Sequence, residues 1–130
     1  MPTVLLVDDE PKNVKYLRRK LETEGIHVTE AYSGQKCLDA VDAEIPNLIL
    51  LDVMMPEMDG INVFKCIKAQ DRTHNIPIIF VTVISANAEK FKDIGITSSD
   101  HITKPIDLNN TVNRIKSRLS FDKFRLEQDF

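Results

Sequence analysis

Tryptophan is absent, and the chain of 130 residues carries only two cysteines and four glycines. Cys37 and Cys66 stand far apart with no other Cys or His clustered around them, which excludes a CxxC redox motif and a zinc module. Each is expected as a small core residue on a helix. No apolar run approaches the ~20 residues needed to span a membrane. The opening "MPTVLLVDDE" lacks the basic segment, long apolar stretch and small-residue cleavage site of a secretion signal. A cytoplasmic protein with no membrane partner is the expectation. Positive charge is not in excess either: 17 Lys and Arg against 20 Asp and Glu give a net charge of −3. That balance argues against nonspecific nucleic-acid binding, which needs concentrated basic residues.

The 42% hydrophobic and 28% charged content suits a globular chain long enough for one packed domain. Short apolar runs alternate with helical patterns. The runs are Val4 to Val7, "IHVTEA" from Ile26, "NLILLD" ending at Asp52, "IPIIFVTV" from Ile76, and a brief "HIT" at His101 to Thr103. Between them, Val14, Leu17 and Leu21 form one stripe, with Pro11 in the opening turn and Gly25 just past the end. A second helix is expected after Ser33, carrying Cys37, Leu38 and Val41. A third follows Asp59 as cap, with Ile61, Phe64 and Ile67. A fourth is expected near 86–94, ended by Gly95. A fifth follows Asp107, with Leu108, Val112, Ile115 and Leu119. Strand and helix alternating five times predict an α/β fold, a parallel sheet covered by helices on both faces. Ligands of such open sheets bind beyond the carboxyl ends of the strands.

At those ends the residue types converge. The first strand runs into Asp8 and Asp9, the third ends at Asp52, the fourth at Thr82, and the fifth leads to Lys104. Three carboxylates at one edge raise one another's pKa unless a cation is shared. Mg²⁺ is a hard, oxygen-seeking ion that leaves positions open for a phosphate oxygen, and it is the expected cofactor. Lys104 and Thr82 then suit the oxygens of a phosphoryl group, as point charge and hydroxyl donor. A carboxylate nucleophile would form an aspartyl phosphate, and Asp52, ending the central strand before a turn, is the candidate. Taken singly, each residue has a plainer reading: Asp8 and Asp9 as helix-start acids, Thr82 as a strand β-branched residue, Lys104 as a solvated lysine. Their joint placement favours chemistry.

The set "VDDE", "LLDVMMPEMDG", "VTV" and "ITKP", in this order, resembles the receiver domain of two-component response regulators from about Thr3 to Leu119. The resemblance implies a flavodoxin-like doubly wound fold, five parallel strands in the order 2-1-3-4-5. It implies that Asp52 accepts a phosphoryl group from a histidine kinase or histidine phosphotransfer protein. The acidic pair at the metal would be Asp8 and Asp9, joined by Asp52 and the backbone carbonyl of Met54, while Thr82 and Lys104 take the family's hydroxyl and lysine positions. Pro105 falls where the family has a cis Lys-Pro bond. The output implied is a changed surface for a downstream protein or fused output domain, with a phosphorylation-dependent homodimer one open arrangement. It would be a switch catalysing only its own phosphorylation and dephosphorylation.

Some residues depart from that pattern. Val83 replaces a smaller residue, His101 stands at the usual switch aromatic, and Thr97 replaces a glycine, with Gly95 two residues earlier. Met54 and Ile84, two after Asp52 and Thr82, cannot orient water by hydrogen bonding, so slow self-hydrolysis is expected. Two alternatives stay open. A phosphohydrolase of the haloacid dehalogenase type lacks support because Met54, two residues after Asp52, supplies no general acid. An unphosphorylated interaction module is disfavoured by the intact Asp8, Asp9, Asp52, Thr82 and Lys104. The domain is expected to fill 1–119, with 120–130 a helical extension or the start of a linker. No helix-turn-helix follows, so no direct nucleic-acid contact is expected.

Overall fold

The computed structural model describes residues 2–82 and 101–128, with side chains described through Ser120. The predicted helix near 86–94, together with Val83, Ile84, Gly95 and Thr97, lies outside the described residues. Five strands appear in chain order: β1 (Thr3–Val7), β2 (His27–Ala31), β3 (Leu48–Asp52), β4 (Ile78–Thr82) and β5 (His101–Thr103). The described helices are α1 (Pro11–Thr23), α2 (Gly34–Ala43), α3 (Gly60–Lys68) and α4 (Leu108–Gln128). All strand pairs are parallel, as the alternation of strand and helix predicts, in the order β2-β1-β3-β4-β5 that the resemblance implied. Among the described residues no helix is long and apolar enough to cross a membrane.

Strand alternation sorts the core into two layers. On one face Leu5, Ile49, Leu51, Ile78 and Phe80 meet α2 and α3 through Cys37, Val41, Ile61, Val63 and Ile67. On the other, Leu6, Leu48, Leu50, Ile79 and Val81 meet α1 and α4 through Val14, Leu17, Leu21, Val112 and Ile115. β1, β3 and β4 are therefore buried on both sides, which is why they read as unbroken apolar runs. β2 is an edge strand with a mixed pattern, and its Glu30 is drawn against α1 by Arg18 at 2.6 Å.

The helix boundaries follow from local chemistry. Val14, Leu17 and Leu21 are buried as their spacing predicts, each contributing about 1.5–3 kcal/mol. Gly25, at φ +79, ends α1 in the left-handed conformation. Its N–H reaches the Glu22 carbonyl at 3.1 Å, and the Ile26 N–H reaches the Leu21 carbonyl at 3.2 Å, the paired bonds of a Schellman turn. Ser33 caps α2 by accepting from the Lys36 N–H, and Asp59 caps α3 by accepting from the Asn62 N–H. Asp107 caps α4 through the Asn110 N–H at 2.9 Å. With no proline or glycine after it, α4 runs on past Leu119 to Gln128.

Two expectations need correction. Cys37 is in the core, but Cys66 is exposed. It follows Lys65 on the flank of α3 turned away from Ile61, Val63 and Ile67, so its small size serves no packing. The buried α3 stripe also centres on Val63, fully enclosed, while Phe64 is only partly buried at the layer's margin. There its ring tilts against Phe80 at 5.4 Å between centroids, and the Lys68 ammonium lies 5.6 Å from the Phe64 ring centre.

Candidate functional site

Parallel register gathers the strand ends. Val7 lies opposite Leu51, so Asp8 emerges beside Asp52; Asp52 lies opposite Val81, and Thr82 opposite Thr103. The Lys104 N–H then donates to the Thr82 carbonyl at 2.8 Å, continuing the β4–β5 ladder to the lysine itself. Asp8, Asp52, Thr82 and Lys104 thus come from four adjacent strands. Asp52 and Thr82 are almost wholly buried, Asp8 is 7% exposed, and Asp9 faces solvent.

Carboxylate oxygens of Asp8, Asp9 and Asp52 all lie within 4.8 Å of one another. The Lys104 ammonium sits 3.2 Å from Asp52 Oδ2 and 3.7 Å from Asp8 Oδ2. Backbone donors fix the two buried acids: the Glu10 N–H donates to Asp8 Oδ1 at 2.9 Å, and the Met54 N–H donates to Asp52 Oδ1 at 3.2 Å. The Asn13 amide reaches toward both Asp8 Oδ2 (3.5 Å) and Glu10 Oε2 (3.4 Å). The sequence reading passed over Asn13; its position one turn into α1, five residues after Asp8, was the available signal. The Lys104-Pro105 bond is cis, as the resemblance implied. His101 is half-buried on the edge strand β5, and its carbonyl accepts from Arg114 Nη1 at 2.6 Å.

Burial pushes the Asp52 carboxyl up to about 6, with Asp8 adding to the rise and Lys104 opposing it. Burial opposes the charge on Lys104, but Asp52 and Asp8 outweigh it and hold the ammonium above its ordinary value. Three carboxylates against one ammonium leave a deficit of positive charge that a divalent ion matches. The donors are oxygen only, the set a hard cation prefers. An octahedron with bonds of ~2.1 Å separates its ligand oxygens by roughly 3–4.2 Å, so small side-chain rotations would close the present spacing onto Mg²⁺. Beside Lys104 an open groove of about 470 Å³ runs between α1 and the β5–α4 turn, edged by Tyr16, Pro105, Ile106 and Leu108.

Residues 4–116 match the model of the response regulator receiver domain. The chain belongs to that family, and with it to two-component signalling. It is 36% identical over 118 residues to the response regulator PleD of Caulobacter vibrioides, covering 91% of this chain and 26% of PleD. It is 34% identical over 119 residues to the transcriptional regulatory protein CpxR of Escherichia coli, covering 92% of this chain and 50% of CpxR. The chain therefore spans a quarter to a half of the length of these curated relatives. Among solved structures, the receiver domain of a signal transduction histidine kinase from Syntrophus aciditrophicus superposes with a TM-score of 0.82 at 29% identity, covering 92% of this chain and 91% of that one.

Proposed function

We propose that Asp52 is the phosphoacceptor of a Mg²⁺-dependent switch, phosphorylated by a histidine kinase or histidine phosphotransfer protein. The observation that carries this reading is the meeting of Asp8, Asp52 and Lys104 within ion-pair distance at the ends of three strands, with Thr82 at the end of a fourth. Asp52 Oδ attacks phosphorus as the donor's N–P bond breaks, and the new O–P bond gives the acyl phosphate. Lys104, released from Asp52 Oδ2, follows the negative charge onto the phosphoryl oxygens, and the Thr82 hydroxyl donates to the same group. Asp8, Asp9, Asp52 and the Met54 carbonyl are the residues that would hold Mg²⁺, which would supply the remaining charge neutralisation.

The groove beside Lys104 lies next to the lysine that pairs with Asp52. Output is a changed surface for a downstream protein or fused output domain, with 1–119 as the receiver unit and 120–130 as a helical extension or the start of a linker. The protein acts on no external metabolite. Met54, 62% exposed at the mouth of the site, carries no group that hydrogen-bonds water onto the acyl phosphate, so self-hydrolysis is slow. The test is intact mass after incubation with acetyl phosphate and Mg²⁺. One phosphoryl group should add to the wild type, none without metal, and none to Asp52→Asn. Failure of the wild type to gain mass would leave an unphosphorylated interaction module.

A further inference from the structure

The two oxygens of Asp8 are held in different ways. Oδ1 accepts from the Glu10 N–H at 2.9 Å, a backbone donor fixed by the entry into α1. Oδ2 faces two side chains, the Lys104 ammonium at 3.7 Å and the Asn13 amide, whose Nδ2 lies 3.5 Å away. An amide nitrogen carries two N–H groups, and the same Nδ2 reaches Glu10 Oε2 at 3.4 Å. Asn13 stands between two acids as a neutral donor to both.

Its place is set by the helix. The Asn13 N–H donates to the Glu10 carbonyl at 3.1 Å, closing the first turn of α1, while the adjoining Val14 is buried in the core. Beneath Asp8 lies a small cavity of about 20 Å³, and Asn13 lines both this cavity and the open groove beside Lys104. Apart from Asp8 and Asn13, every side chain along the cavity is apolar, including Leu6, Leu50 and Ile106. Nothing else on that side offers Asp8 a side-chain donor.

We infer that Asn13 is a positioning residue for Asp8: its amide shares Oδ2 with Lys104 and becomes the remaining side-chain donor there when the ammonium moves to the phosphoryl group. The inference rests on the proposed reaction, in which Lys104 leaves the acids. An ammonium is a single point charge and cannot hold Asp8 and follow the phosphoryl oxygens at once. Without a second donor, Asp8 would be fixed through Oδ1 alone. Hydrogen bonds of this outer kind orient metal ligands, and their loss costs roughly 10–100-fold in metal affinity. At 3.5 Å the amide contributes little while Lys104 is in place, and its weight appears once the lysine is gone.

Calorimetric titration of Mg²⁺ into the wild type, Asn13→Leu, Lys104→Met and the double variant tests this. Leucine keeps the size of asparagine without its donors and is the better helix former, so Asn13→Leu should melt no lower than the wild type in chelator. Mg²⁺ affinity should fall about twofold on Asn13→Leu with Lys104 present, and about tenfold in the Lys104→Met background. Each loss is read against its own background, so the effect of Lys104→Met on the acids cancels. Equal losses in the two backgrounds, or no loss in the Lys104→Met background, overturn the inference. If Lys104→Met does not fold, beryllofluoride, a phosphoryl mimic, takes its place with the wild type and Asn13→Leu. A larger loss with the mimic than without it supports the role of Asn13, and equal losses refute it. A wild type that binds no Mg²⁺ overturns the proposed function and the inference with it, whereas one that binds Mg²⁺ beside variants of equal loss overturns the inference alone.

Discussion

Lys104 and Asp52 are 52 residues apart in the chain, and their side chains form an ion pair of 3.2 Å across β3, β4 and β5. The pair does not fully compensate the acid. Burial still raises Asp52 to about 6, because a 2% exposed carboxylate loses more hydration than one lysine restores. The site is poised for more positive charge than its own side chains supply.

Stability should therefore depend on pH through Asp52. Without metal, the folded protein holds a proton on this carboxyl that the unfolded chain releases above its ordinary value of 3.8. The favourable contribution is complete below pH 3.8 and is lost as pH rises through about 6. Asp52→Asn, uncharged throughout, should exceed the wild type at pH 7.5 by up to about 3 kcal/mol in chelator. The gap should close toward pH 4. Urea denaturation of both chains at the two pH values measures it, and a wild type as stable as the variant at pH 7.5 would contradict it.

Magnesium should stabilise the fold by mass action. At a tenfold excess over its dissociation constant the gain is about 1.4 kcal/mol. Asp9 is exposed, so Asp9→Asn should leave metal-free stability within about 0.5 kcal/mol while removing most of the gain. Thermal melts with and without Mg²⁺ separate the two effects.

Replacing Lys104 with methionine should raise the Asp52 pKa beyond its present value of about 6, since the ammonium does more than the Met54 N–H to lower it. It should also slow phosphoryl uptake by about 100-fold, the usual scale for losing one preorganised charge-stabilising donor. Carboxyl-carbon NMR reads the first effect and timed mass spectrometry the second. A faster rate than wild type would show that the ion pair restrains the nucleophile more than it assists transfer.

The two cysteines should react very differently. Burial pushes the Cys37 thiol up to about 12, whereas Cys66 is exposed on α3. Iodoacetamide at pH 8 should add one group to the native protein, on Cys66, and a second only after denaturation. Modification of Cys37 in native buffer would reveal opening of the α2 layer.

Much of the architecture was legible because it depends on periodicity. β1, β3 and β4 are enclosed on both faces, so their side chains read as apolar runs, and the acids that close β1 and β3 mark where the chain leaves the core. Gly25, Ser33, Asp59 and Asp107 act through hydrogen bonds to residues within a few positions, and Pro11 through its fixed φ, so their roles are local and readable. Cys66 and Phe64 were misplaced because a helical stripe has margins, and only the neighbouring element decides which marginal residue is covered. Asn13 went unnoticed because its role depends on where Asp8 turns.

α4 begins four residues after Lys104 and continues without interruption for 21 residues, about 30 Å at 1.5 Å per residue. Among its described side chains Val112 and Ile115 rest on the sheet, with Leu108 and Leu119 packed at the margin. Over that length, each degree of tilt at the root of the helix sweeps its tip through roughly 0.5 Å.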